Sequence, residues 1–317
     1  MLSRVAASIY WLSRYIERAE NVARVVGVNN QLVLDLPGQD AEQWDPMVKV
    51  TGDETDFQAR YGGPTRANVI DFLTFDALNP NSIVSCVTTA RENARSVREI
   101  LSSEMWEEIN RFYLFLRQPG ARERALWDAH AFFREVRRSS HMIEGTKNET
   151  MEHGEAWHFS QMGRHIERAD QTTRILDLKY FLLLPSAADV GKPIDDLQWG
   201  ALLRSASGLE AYRRMHGRVA ALAVASFLLL NREFPRSVQY CAGRAQASLH
   251  AVTGTPARRF ANAAERELGR LVADLDYTDI GDVVSTGLHD FVDTLQEKLN
   301  HVGNEITRTF FAPSSAH

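Results

Sequence analysis

From Ser3 to Phe311 the apolar residues of this chain recur every three or four positions. No stretch alternates apolar with polar residues for long enough to form a strand. That single period confines the fold to packed helices. Turn residues punctuate it. A first helix is predicted over 3–34, ended by LPGQD (Leu36 to Asp40), with shorter helices up to NPNS at 79–82. A helix over 83–101 follows, then one capped by Ser102 or Ser103 with Glu104, Glu107 and Glu108 in its first turns. Pro119-Gly120 separates the next helix, which runs through about Thr146. Another covers 155–184, before a surface loop over Pro185 to Asp196. Pro235 and Pro256 are expected at first helical positions, and the last helix over about 282–311. The expectation is an all-α, single multi-helix bundle of about ten helices over 1–311, with mostly antiparallel neighbours and a frayed, disordered tail at 312–317.

Within this pattern one phrase occurs twice. YIERAENVAR starts at Tyr15, and HIERADQTTR starts 150 residues later at His165. At about 100° per residue, Arg14, Glu17, Arg18 and Asn21 fall in one polar arc of the first helix. Ile9, Leu12, Ile16, Ala19, Ala23 and Val26 lie opposite. A shift of 150 gives a second polar arc of Arg164, Glu167, Arg168 and Gln171, and a second row of Phe159, Met162, Ile166, Ala169, Thr173 and Leu176. Both parts of the pattern survive, which predicts an internal pseudo-repeat. Helices 3–34 and 155–184 would be equivalent, in halves of about 1–150 and 151–311.

The arcs carry a conflict. Arg14 with Arg18, and Arg164 with Arg168, are like charges one helical turn apart, which is unfavourable on an exposed helix. An acid from elsewhere must answer them: a carboxylate of another helix, an anionic ligand or a partner protein. Glu20 with Arg24 and Asp170 with Arg174 read instead as ordinary exposed pairs with the acid first. A third row, Arg91, Arg95 and Arg98 with Glu92 alongside, is expected to converge with the two arcs in the interior or along a groove. Arginine suits that role because its planar fork holds carboxylate or phosphate bidentately and stays charged when desolvated.

The phrases IERAENVAR, IERADQTTR, ARENARSVREILSSEMWEEIN and NREFPRSVQYC together resemble the bacterial alpha-E family over nearly the whole chain. That family is named for a helical fold and a Glu-Arg motif, which maps here onto Glu17-Arg18 and Glu167-Arg168. The resemblance implies companions: circularly permuted ATP-grasp ligases and transglutaminase-like cysteine peptidases, in a setting of ATP-dependent amide-bond formation. It implies no activity for the helical member itself.

Other chemistries find little support. Net charge −5 argues against a nucleic-acid partner held by bulk attraction to phosphate. No apolar run approaches the ~20 residues of a membrane span, so no membrane partner is expected. The two cysteines, Cys86 and Cys241, lack metal or disulfide spacing, read as buried packing residues and fit a reducing cytoplasm. Glu155 with His158, His141 with Glu144, and Glu149 with His153 stand at helical contact spacing and read as solvated pairs, with no metal. No Walker loop, GxGxxG or GxSxG is present, Gly62-Gly63-Pro64 reads as a turn, and no cofactor is implied. Trp11, Trp106, Trp127 and Trp157 are expected in the core. The leading expectation is an accessory protein that holds an anionic ligand, peptide or partner through its Arg/Glu rows. Alternatives are an enzyme using Glu17, Glu92 or Glu167 as acid–base groups, and a purely structural salt-bridge network.

Overall fold

The computed structural model describes residues 1–35, 40–181 and 191–312. They are all-helical. Sixteen α-helices and a closing π-helical turn are found among them, where about ten helices are predicted. The difference comes from breaks that apolar periodicity does not register. The helix expected over 83–101 stops at Ser96, and the one expected after Pro119-Gly120 divides at Asp128. The last divides at Gly287, whose φ of +94° a side-chain-bearing residue rarely adopts.

Two long helices form the centre, α1 (Ser3–Asp35) and α9 (Glu155–Phe181). Contacts along their seam rise together in residue number, from Met1–Glu155 through Ser13–Ser160 to Arg18–Glu167, so the two run in the same direction. Each is flanked by antiparallel helices. Against α1 pack α5 (Ile83–Ser96) and α8 (Ala129–Thr150), with Arg18 meeting Asn81 and Ser8 meeting Ser96 at opposite ends. Against α9 pack α13 (Val238–Thr253) and α16 (Leu288–Ile306). Outer helices α6 (Ser103–Leu116) and α14 (Ala263–Tyr277) bridge the flanking pairs.

Both apolar rows are buried as predicted, from Ile9 to Val26 and from Phe159 to Leu176. The central helices are also buried on their polar sides, because neighbours surround them. Between α1 and α9, Ser13 and Ser160 share a 2.7 Å hydrogen bond. Beside them Gly163 lies so near Tyr10 that a Cβ would stand 2.4 Å from the Tyr10 carbonyl oxygen. The π-helical turn Thr307–Phe311 closes this end, with Phe311 against Tyr10 and Phe159 and Phe310 against Phe159.

Helix starts are set by side-chain caps. Ser82 and Ser237 accept from the backbone N–H groups of Ser85 and Tyr240, and Ser102 caps α6 as expected. Pro235 and Pro256 are not first helical residues: α13 begins at Val238 and α14 at Ala263, capped by Asn262. An alanine at Ser82 or Ser237 is expected to lower stability by about 1 kcal/mol, read from urea unfolding midpoints. α10 (Pro193–Ser205) starts at Pro193, inside the surface loop predicted up to Asp196. Leu36 to Gln39, the loop residues 185–190 and the tail from Pro313 lie outside the described residues. Trp127 is 95% exposed, against the core position expected for it, whereas Cys86 and Cys241 are fully buried. No helix among the described residues is long and apolar enough to cross a membrane.

Candidate functional site: crossed arginines and glutamates between two central helices

The two polar arcs face each other. Glu167 of α9 accepts from Arg14 Nε at 2.8 Å and bidentately from Arg18, whose Nε and Nη2 lie 2.7 and 3.0 Å away. Glu17 of α1 accepts bidentately from Arg168, at 2.8 and 2.7 Å, and from Arg164 Nε at 3.4 Å. Asn21 and Gln171, each one turn on, donate to Glu17 and Glu167 at 3.0 and 3.1 Å. The acid that each crowded arginine pair requires is therefore the glutamate of the opposite arc. Neither helix could keep its arc buried without the other.

Around Glu17 the exchange extends further. Arg236, just ahead of α13, donates to Glu17 and Asn21 at 3.0 Å and to Glu20 at 2.6 Å. Glu20 also accepts from Arg24 Nε at 2.9 Å and meets the His141 ring at 3.0 Å. Arg164 reaches Glu144 at 3.0 Å, and Lys147 donates to the same carboxylate. Glu20 with Arg24, expected on an exposed face, is buried. Asp170 with Arg174 is largely buried as well, at a 2.9 Å separation. Glu144 is also buried and bonded to cations, not the solvated partner of His141 that its spacing predicts.

The third arginine row does not join. Arg91 bonds Asn110 at 2.6 Å and lies over Tyr113 and Trp106, and Arg98 also lies over Trp106. Arg95 pairs with Glu92 on the outside, where both are exposed. The α6 aromatic residues hold this row on the far side of α5, so the expected three-way convergence is a two-way one. Arg236, Glu20, Arg24, Glu144, Lys147, Asp170 and Arg174 complete the cluster and are not among the site residues that the sequence predicts. The available signals were FPRS before an apolar helix start and the i,i+3 spacing of Glu144 and Lys147.

Burial alone would raise the Glu17 carboxyl, but the Arg168 and Arg236 guanidinium groups outweigh it and hold it well below the usual range. The same balance, with Arg18 and Arg14, lowers Glu167 to about 2. Burial lowers Arg236 to about 10 against the pull of Glu20, and raises both cysteine thiols to about 12. Carboxylates held this low are weak bases near neutral pH. They also link stability to pH. Their folded pKa lies below the unfolded 4.5, so their contribution is complete above about pH 5 and is lost as pH falls toward 2. Burial holds the His165 imidazole well below its usual range, so stability begins to decline as pH falls through the ordinary histidine range. The melting temperature is expected to drop most steeply below about pH 5, as followed by circular dichroism.

In the whole cluster eight cations (Arg14, Arg18, Arg24, Lys147, Arg164, Arg168, Arg174 and Arg236) meet five carboxylates. The surplus is positive, although the chain as a whole is acidic. On the Glu167 side the cluster opens into a cavity of about 140 Å³. Its polar wall is Arg14, Arg18, Arg174, Asp170, Gln171, Asn81, Asn300 and Thr51, and valines, leucines, Ile175 and Met47 line the rest. Among the described residues no group of three or more His, Cys, Asp or Glu side chains could hold a metal ion.

Fold and site thus define an all-helical protein organised by a buried, reciprocal Glu-Arg exchange. The chain belongs to the Alpha-E family, "a predicted alpha-helical domain with a conserved ER motif", whose model matches residues 1–311. It is also similar to uncharacterised proteins of Mycobacterium bovis and Mycobacterium tuberculosis, 26% identical over 271 residues. The match takes in 80% of this chain and spans 30% of the length of those relatives. No solved structure matches.

Proposed function

We propose that this chain is a recognition unit that captures a carboxylate-bearing, peptide-like ligand at the cavity between α1 and α9. It would do so in the service of an ATP-grasp-type ligase and a transglutaminase-like peptidase. The observation that carries the reading is the positive surplus of the cluster next to a cavity with arginines on one wall. A buried excess of guanidinium is costly unless an anion offsets it. Glu17 and Glu167, held ionised, fix the arginine forks and are poor proton acceptors, which favours holding a ligand over converting one. The mycobacterial relatives carry the matched region as less than a third of a longer chain, which suits a unit that works beside other domains.

The same reading takes the two halves as equivalent. A shift of 150 carries Arg14–Glu167 onto Arg164–Glu17, and Ser13–Ser160 onto the Gly163–Tyr10 contact. A shift of 155 carries Ser82, whose hydroxyl donates to the Asp76 carbonyl, onto Ser237, whose hydroxyl donates to the Asn231 carbonyl. It also carries the Cys86 contact with Pro80 onto that of Cys241 with Pro235.

The test is purification of the tagged chain from its native cells, with bound proteins and small molecules identified by mass. Co-purification of a ligase or peptidase of these classes, or of a carboxylate ligand, is expected. Recovery of the chain alone contradicts the reading. A second reading, a network that only fixes helix register, is favoured by the saturation of Glu17, which accepts from three arginines and Asn21.

A further inference from the structure

The two ends of the cluster differ at two positions, and both differences open the cavity. Near Glu17, Arg236 spans Glu17, Asn21 and Glu20. At the corresponding place near Glu167 stands Asn81, which accepts from Arg18 and donates to Asp53. Asn81 is too short to bridge to Asp170 and Gln171, which correspond to Glu20 and Asn21. Asp170 is 94% buried and lines the cavity, yet its Oδ1 has no hydrogen-bond partner among the described residues. Gln171 donates to Glu167, and its carbonyl oxygen accepts no hydrogen bond among the described residues. Arg174 donates to the other Asp170 oxygen at 2.9 Å, which leaves Oδ1 and the Gln171 carbonyl as the acceptors without a donor at this corner.

The second difference has the opposite sign. Arg164 has Glu144 of α8 as an additional acid, and Lys147 stands beside it. Arg14 faces α16, where Gly303 lies near its Nη1 and Asn300 lines the cavity. Arg14 uses Nε on Glu167 and Nη1 on the Tyr10 hydroxyl, and its Nη2 donates to no acceptor among the described residues. Here the cavity presents a charged donor and lacks an acid. Between the two corners the wall is apolar, with Val22, Val25, Met47, Leu73 and Leu178.

We propose that this cavity binds a small apolar zwitterion of the amino-acid type, either a free amino acid or a dipeptide. Its ammonium group donates to Asp170 Oδ1 and the Gln171 carbonyl, as the Arg236 guanidinium does to Glu20 and Asn21. Its carboxylate accepts from Arg14 Nη2, in the place where Glu144 forms its ion pair with Arg164. Its side chain packs on the apolar wall. An unpaired buried carboxylate oxygen and a guanidinium without its second acid are both expensive, and one ligand with both charges answers them together. This deepens the proposed capture of a carboxylate and rests on it.

The test is calorimetric titration of the full chain with L-leucine, leucyl-leucine, N-acetyl-leucine, leucinamide and 4-methylpentanoate. Leucine or the dipeptide is expected to bind, and the stronger of the two identifies the natural length. Each singly charged analogue should bind at least about tenfold more weakly, the cost of one lost charge-assisted hydrogen bond. Asp170→Asn should abolish the preference for leucine over N-acetyl-leucine while retaining the preference over leucinamide. If that variant does not fold, the analogue series on the unaltered chain decides alone. Equal binding of N-acetyl-leucine or 4-methylpentanoate overturns the zwitterion and leaves carboxylate capture standing. No binding across the series overturns this inference, whereas the broader reading is judged by what co-purifies with the chain.

Discussion

Glutamine in place of Glu167 is expected to cost about 3–5 kcal/mol of folding stability, the penalty for stripping the counter-charge from a buried ion cluster. The side chain keeps its shape and one acceptor oxygen, so packing barely changes. What changes is that Arg14 and Arg18, already one turn apart and repelling each other, lose the carboxylate that both of them share. Glu17→Gln should cost a similar amount, because Arg164, Arg168 and Arg236 converge there. Glu92→Gln is the control. That residue is 44% exposed and pairs only with outward arginines, so its replacement should stay within about 0.5 kcal/mol. Urea unfolding of the three variants by circular dichroism checks the order.

Alanine at Gly163 is expected to destabilise by about 2–3 kcal/mol or more, through backbone overlap with no loss of charge. The added methyl group would meet the Tyr10 carbonyl oxygen at 2.4 Å, and a helix backbone cannot move aside as the tip of a side chain can. α1 and α9 must separate, which stretches the Ser13–Ser160 hydrogen bond and draws both bidentate forks off their glutamates. The variant should therefore lose part of the pH dependence along with stability, since the carboxylates would sit less tightly among guanidinium groups. Gly145, with nothing within 4 Å of an added Cβ, should accept alanine without loss. Thermal unfolding of both variants at pH 7 and at pH 4 separates overlap from a general effect on helix propensity.

Much of the architecture was legible because burial and helical period coincide along α1 and α9: every residue of both predicted apolar rows is buried. The like-charge pairs at Arg14–Arg18 and Arg164–Arg168 pointed to an acid outside their own arc, and that acid is the other glutamate. Glu20 with Arg24 misled because an i,i+4 pair has the same sequence pattern on a solvated face and in a core. What buries it includes Arg236, far along the chain. The row at Arg91 misled for the converse reason. Its arginines have the same spacing logic as the arcs, but Trp106 and Tyr113 hold two of them on the outer side of α5. The count of helices was low because breaks at Asp128 and Gly287 depend on backbone angles that leave the apolar period undisturbed.

The account depends on arginine and glutamate side chains being bonded across the α1–α9 seam. A double-mutant cycle on Glu17 and Arg168, using Glu17→Gln, Arg168→Gln and the pair, measures that bond with other losses cancelled. A coupling of about 2 kcal/mol or more in unfolding free energy is predicted, with the double variant more stable than the two single losses added together. A coupling within about 0.5 kcal/mol of zero would mean that the two groups do not sense each other, and would contradict the crossed exchange on which the site is built.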